Sequence, residues 1–176
     1  MKKLTIVSLI LSLAFIACKD EKAEPKVQAA STLTPQEQKM VENTKLLFKA
    51  WNEKDTNSLS GFMVDNYVHK SNGKVTSTDR AGFVALMRSF FTASPDVNFT
   101  NDIDMKGNKV YAKWVGKGTL TGMLGTQQLS GKTFEVDGLS VYTFNDEGKL
   151  TEEDGYFDQL SYLEPAGYTL TAPKGK

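Results

Sequence analysis

Four carboxylates fall within seven consecutive positions near the C-terminal end of the chain: Glu152, Glu153, Asp154 and Asp158. A carboxylate withdrawn from water holds its proton to higher pH, and can then act as a general base beside a carbonyl group. In an extended segment the side chains alternate. Glu152, Asp154, Tyr156 and Asp158 therefore share one face, and Glu153, Gly155 and Phe157 share the other. If the first face lines a cavity, Asp154 is the candidate base. If it meets water, the acids are a solvated run. Asp158 has a second use, as a cap for a short turn over Leu160–Leu163.

Other side chains suit a pocket. His69 is the single histidine and can donate or accept a hydrogen bond there. Tyr67, Tyr142 and Tyr156 offer hydroxyls to a substrate carbonyl. Trp51, Phe91 and Trp114 suit an apolar wall while also serving the core. Some chemistries are disfavoured. One histidine and one cysteine cannot build a His- or Cys-rich zinc site, and neither a metal nor a cofactor is expected. Ser140 lacks the Gly-x-Ser-x-Gly setting of an activated serine. Lysine plus arginine number 21 against 21 acids, and only Arg80 and Arg88 are arginines, so there is no basic surplus to attract nucleic acid.

The elements that must position these groups are legible in the pattern. Thr34-Pro35-Gln36-Glu37 is a capping box with proline at the first helical position. Met40, Val41, Thr44, Leu47, Phe48 and Trp51 then follow as one helical stripe. Asp55 caps a second short helix burying Leu59, Phe62 and Met63. Tyr67–His69 reads as extended, before a turn at Asn72-Gly73. Phe83, Val84, Met87, Phe90 and Phe91 mark another helix, which Ser94-Pro95 stops. Strands are predicted over 97–105 and 109–120, then a loop over 122–128. A hairpin of 133–144 and 149–158 turns at Asn145–Gly148. Helices first and antiparallel strands after predict an α+β domain over 34–165, with a tail over 166–176.

The N-terminus reads separately. Lys2-Lys3 precedes an apolar run over Leu4–Ala17, the pattern of a signal peptide over 1–17. Phe15-Ile16-Ala17-Cys18 resembles a bacterial lipobox, with Cys18 as the lipidated residue and 18–33 as a tether. Lys19-Asp20-Glu21 is similar to the signal that sends lipoproteins of Bacteroidetes-type bacteria to the cell surface; a solvated linker is the other reading. The expected place is a bacterial outer membrane or cell surface.

Several short segments together resemble the SnoaL-like polyketide cyclases of the nuclear-transport-factor-2-like superfamily. They are Trp51-Asn52-Glu53-Lys54-Asp55, Tyr67-Val68-His69, the 107–114 segment GNKVYAKW, the 118–122 segment GTLTG, and the 144–153 segment FNDEGKLTEE. The resemblance covers about Pro35 to Leu163. It implies a cone-shaped, curved antiparallel sheet closed by helices around a pocket, and frequently a homodimer. It also implies an aspartate base on the last strand, in a Glu-x-Trp-Asp segment followed by Asp. Gly155 stands where the first Asp is expected, Asp154 meets it after a one-residue shift, and Asp158 matches the second.

Three functions remain open from the sequence. One is binding of a small hydrophobic molecule by an envelope lipoprotein. The second is proton transfer of the cyclase or isomerase type, with Asp154 as base and His69 or Tyr156 orienting the carbonyl. The third is a dimerising module using Lys113, Val115 and Thr119.

Overall fold

Thr34 opens the first helix, α1 (Pro35–Glu53), with the predicted capping box: its hydroxyl accepts from the Glu37 amide and the Glu37 carboxylate accepts from the Thr34 amide. The computed structural model describes residues 33–129 and 131–172. The expected signal peptide, Cys18 and nearly all of the tether lie outside the described residues. Lys54 ends α1 in the left-handed region, at φ 57°. The second helix is only a 3-10 turn, Ser58–Gly61, because Met63 already begins the first strand.

That strand, β1 (Met63–Ser71), turns through Asn72 and Gly73, both at positive φ, into β2 (Lys74–Ser77). Asp79 then caps α2 (Arg80–Ala93) by accepting from the Gly82 amide. Two long strands follow, β3 (Asn98–Lys106) and β4 (Lys109–Thr119). The predicted loop holds a small hairpin of its own, β5 (Met123–Leu124) with β6 (Gln127–Gln128). The last hairpin is β7 (Thr133–Phe144) with β8 (Leu150–Phe157), and α3 (Gln159–Leu163) follows it.

The other six strands form one curved sheet in the order β2-β1-β8-β7-β4-β3. It differs from the expected antiparallel sheet in one pair. β1 lies parallel to β8, so the sheet is mixed. Its two edges, β2 and β3, do not pair, and the sheet stays open rather than closing into a barrel.

The helices cover the inner face. Leu47 and Phe48 of α1 and Phe83 and Met87 of α2 bury themselves against Tyr67 and Val110 of the sheet. Full burial of each such side chain stabilises by roughly 1.5–3 kcal/mol. A second cluster under the β5–β6 hairpin and α3 contains Leu120, Leu129, Phe134, Val136 and Tyr162. Two asparagines tie α1 to the sheet. Asn43 donates to the Gly148 carbonyl at 2.7 Å. Asn52 accepts from the Phe99 amide at 2.7 Å and donates to the Phe99 carbonyl at 2.9 Å, acting as a strand partner at the edge of β3.

Candidate functional site

One residue in β8 decides which carboxylate faces inward. Phe144 pairs with Leu150 and Thr143 pairs with Glu152, so Thr151 is an extra residue on β8. This is a β-bulge, and it reverses the alternation beyond it. Leu150 points into the core, and so do Glu153 and Gly155. Glu152 and Asp154 are turned to the outer face.

Glu153 therefore supplies the inward carboxylate, and it is 7% exposed. Three hydroxyls donate to it. Tyr67 reaches Oε2 at 2.9 Å. Ser140 reaches Oε1 at 2.8 Å and Tyr142 reaches the same oxygen at 3.2 Å. Trp114 Nε1 donates in turn to Ser140 Oγ at 3.0 Å. The group spans four adjacent strands: β1 gives Tyr67, β8 Glu153, β7 Ser140 and Tyr142, and β4 Trp114. Register puts it together, because Tyr142 pairs with Glu153 and His69 also pairs with Glu153. Burial, followed by the Glu153 charge, raises the pKa of both Tyr67 and Tyr142 well above the usual tyrosine value. Both hydroxyls thus remain donors at ordinary pH.

The carboxylate opens onto a cavity of about 240 Å³. Phe48 and Trp51 come to its wall from α1, Phe90 from α2, Phe99 from β3 and Tyr162 from α3. The wall is predominantly apolar, and Glu153, Ser140 and Tyr142 form a polar floor within it. A carboxylate offers about four acceptor positions. Three are taken here, and the remaining one is on Oε2.

His69 also lines the cavity and packs against the Phe83 ring at 5.0 Å between centroids. Thr76 Oγ1 contacts both His69 Nδ1 and the His69 carbonyl oxygen. A hydroxyl has one proton. Both contacts are hydrogen bonds only when Thr76 donates to the carbonyl and His69 Nδ1–H donates to Thr76. By that assignment the neutral ring keeps Nε2 as an acceptor.

The other expected site residues divide in two. Trp51, Trp114, Tyr142 and His69 line the cavity, and Tyr67 lies buried behind the floor. Phe91 packs edge-on against Trp51 at 5.5 Å and is not part of the lining. Asp154 accepts from the Gly73 amide and from Tyr156 Oη, outside the cavity. Tyr156 is 47% exposed. Asp158 caps α3, accepting from Ser161 Oγ and the Leu160 amide, which hold its carboxyl below the usual carboxylate range. Asp154, Tyr156 and Asp158 are thus not assembled in the pocket. The reason is the bulge at Thr151. The sequence shows Glu153 as a strand carboxylate, but only the bulge turns its face inward. Its donor Ser140 carried no signal beyond its place in the β7 alternation. Among the described residues no cluster of His, Cys, Asp and Glu suits a metal ion, and no helix is long and apolar enough to cross a membrane.

Residues 43–164, more than half of the chain, match the model of the SnoaL-like polyketide cyclases. The chain belongs to that family. Solved structures agree on the fold. A protein of Jannaschia sp. CCS1 assigned as a SnoaL-like polyketide cyclase is 17% identical, covering 79% of this chain and 99% of its own, with a TM-score of 0.70. IdmH of Streptomyces antibioticus, assigned as a polyketide cyclase, is 21% identical over 73% of this chain and 99% of its own, with a TM-score of 0.62. AclR of Streptomyces galilaeus, assigned as a hydroxylase, is 24% identical over 77% of this chain and 87% of its own, with a TM-score of 0.64. No curated protein matches the sequence. Against the SnoaL-like pattern, position 155 faces the cavity as glycine, and the inward carboxylate comes from Glu153, two residues earlier on the same face.

Proposed function

We propose that this SnoaL-like domain binds a small, mostly apolar molecule that presents one hydrogen-bond donor to Glu153. The observation that carries this is a buried carboxylate at the floor of an apolar cavity, with three hydroxyl donors and one acceptor position left. The volume limits the ligand. A cavity of about 150 Å³ accepts benzene, and drug-sized ligands occupy about 300 Å³ or more. At about 240 Å³ the cavity suits one or two fused rings. A flat phenol or enol has both the shape and the donor.

The same floor supports a second reading, proton transfer. Glu153 can accept a proton from an acidic O–H or C–H, and His69 lies on the same lining. Family membership and a cavity-facing carboxylate on the last strand favour it. The wall and the floor are required by both readings.

The test is binding of 2-naphthol and naphthalene, followed by quenching of tryptophan fluorescence. Wild type should bind 2-naphthol more tightly. Glu153→Gln should weaken 2-naphthol about tenfold or more, the scale of a hydrogen bond to a charged group, and leave naphthalene nearly unchanged. Equal binding of 2-naphthol by wild type and Glu153→Gln sinks the donor assignment. Release of a C–H proton from a small ketone, seen as deuterium exchange that Glu153→Gln abolishes, would select the second reading.

For the envelope role, we propose that Cys18 anchors the domain to a bacterial membrane. The support is the cysteine at the end of the apolar run, followed by a polar segment. Cys18→Ser should move the protein from the membrane fraction and abolish incorporation of labelled palmitate. We also propose a homodimer through the outer sheet face, where Leu139 and Tyr156 are exposed. A monomeric mass by light scattering at tens of micromolar would overturn it.

A further inference from the structure

The glycine at position 155 has no structural explanation within the fold. Glycine weakens a strand, and it is normally retained there for a positive φ, a bulge or a close approach of other atoms. Gly155 is not among the positive-φ glycines. The bulge lies elsewhere, at Thr151. A methyl group would fit: an added Cβ would meet Ser140 Oγ at 3.5 Å, Glu153 Oε1 at 3.7 Å and the Lys70 carbonyl at 3.8 Å, all ordinary contacts. Gly138 on the neighbouring strand is the contrast. A Cβ there would stand 2.4 Å from the Trp114 ring, so glycine is required for that ring to lie where it does.

The space that a side chain at position 155 would fill is the cavity beside Glu153. We infer that Gly155 is a specificity-determining residue, and that its missing side chain makes room for the ligand's donor group against the Glu153 carboxylate. The inference rests on the binding reading above and narrows it. The donor sits on a flat, unbranched edge of the ligand, passing over the Gly155 backbone. Ser71 pairs with Gly155 across β1 and β8 and also lines the cavity, so both residues of this cross-strand pair are small. A phenolic or enolic hydroxyl fits that edge, and a donor on a branched carbon does not.

Gly155→Ala tests this in the folded domain, with 2-naphthol as probe and tryptophan fluorescence as readout. The variant should melt at or above the wild-type temperature, because alanine suits a strand better than glycine. Its affinity for 2-naphthol should fall about tenfold or more, the scale of one methyl group in a tight pocket. In Glu153→Gln, adding Gly155→Ala should cost much less than it does in wild type, since both changes remove the same contact. A wild type that does not bind 2-naphthol removes the binding reading and this inference with it. A wild type that binds, with Gly155→Ala within twofold of it, overturns the inference alone. A Gly155→Ala variant that melts well below wild type overturns it too, by showing that the glycine serves the fold.

Discussion

Ser140 stands between Trp114 and Glu153, accepting from the indole Nε1 at 3.0 Å and donating to Oε1 at 2.8 Å. One hydroxyl therefore fixes both the wall and the floor of the cavity. Ser140 is 1% exposed, so water cannot readily replace it. Its single proton is committed to the carboxylate, which sets the direction of the chain from Trp114 through Ser140 to Glu153.

Ser140→Ala should expose this coupling. It leaves the indole N–H without its acceptor and takes one donor from a buried carboxylate. Loss of a buried partner costs about 1–3 kcal/mol, with charged groups toward the upper end. Urea unfolding should show a drop of that size. The near-UV dichroism of the tryptophans should also change, because Trp114 loses its orienting bond. An unchanged spectrum and midpoint would show that the hydroxyl positions nothing.

Alkaline pH should destabilise the domain through Tyr67 and Tyr142, the two tyrosines that donate to Glu153. In the unfolded chain they lose their protons near pH 10. In the folded protein their pKa values are raised, by burial first and the Glu153 charge second. The folded state thus binds more protons than the unfolded state above that pH. Their stabilising contribution is complete below about pH 10 and is lost as pH rises toward the folded values. The slope is about 1.4 kcal/mol per pH unit for each such tyrosine. Urea midpoints between pH 9 and 11.5 should fall, and Tyr67→Phe should fall less steeply. Equal slopes would sink the assignment.

Tyr162 presents the opposite case. Its ring packs against Phe90 and Phe134, and its hydroxyl is buried without a hydrogen-bond partner among the described residues. Burial also raises its pKa. Removing an unpaired buried hydroxyl should help. Tyr162→Phe should stabilise by about 1 kcal/mol, within the usual cost of leaving such a group unpaired. A lower melting temperature would show that the hydroxyl has a partner in solution.

Most of the fold was legible because local signals and the fold agree. The Thr34 capping box, the Asn72-Gly73 turn and the Ser94-Pro95 stop each act within a few residues. Trp51, Tyr67, His69, Trp114 and Tyr142 could be placed in or behind a pocket because aromatics on inward faces are both core and wall. What the sequence did not disclose was the phase of β8. A bulge is a pairing event between two strands, and neither strand alone carries it. Unbroken alternation would place Asp154 on the face of Leu150, whereas the extra residue Thr151 puts Glu153 there. The parallel pairing of β1 with β8 is nonlocal in the same way, and it is what sets His69 beside Glu153.

Asp154→Asn against Glu153→Gln checks that phase directly. The two residues are neighbours in sequence and differ in face. The Asp154 carboxylate accepts from the Gly73 amide and the exposed Tyr156 hydroxyl, beside its cross-strand neighbour Lys70, and an asparagine oxygen can accept one of these bonds. Asp154→Asn should change stability by no more than about 0.5 kcal/mol, as expected for a surface substitution, and leave 2-naphthol affinity unchanged. Glu153→Gln should alter affinity and perturb the tyrosine hydroxyls that donate to it. If Asp154→Asn were the variant that lost binding, Thr151 would not be bulged in solution. The acidic face would then be the one that lines the cavity.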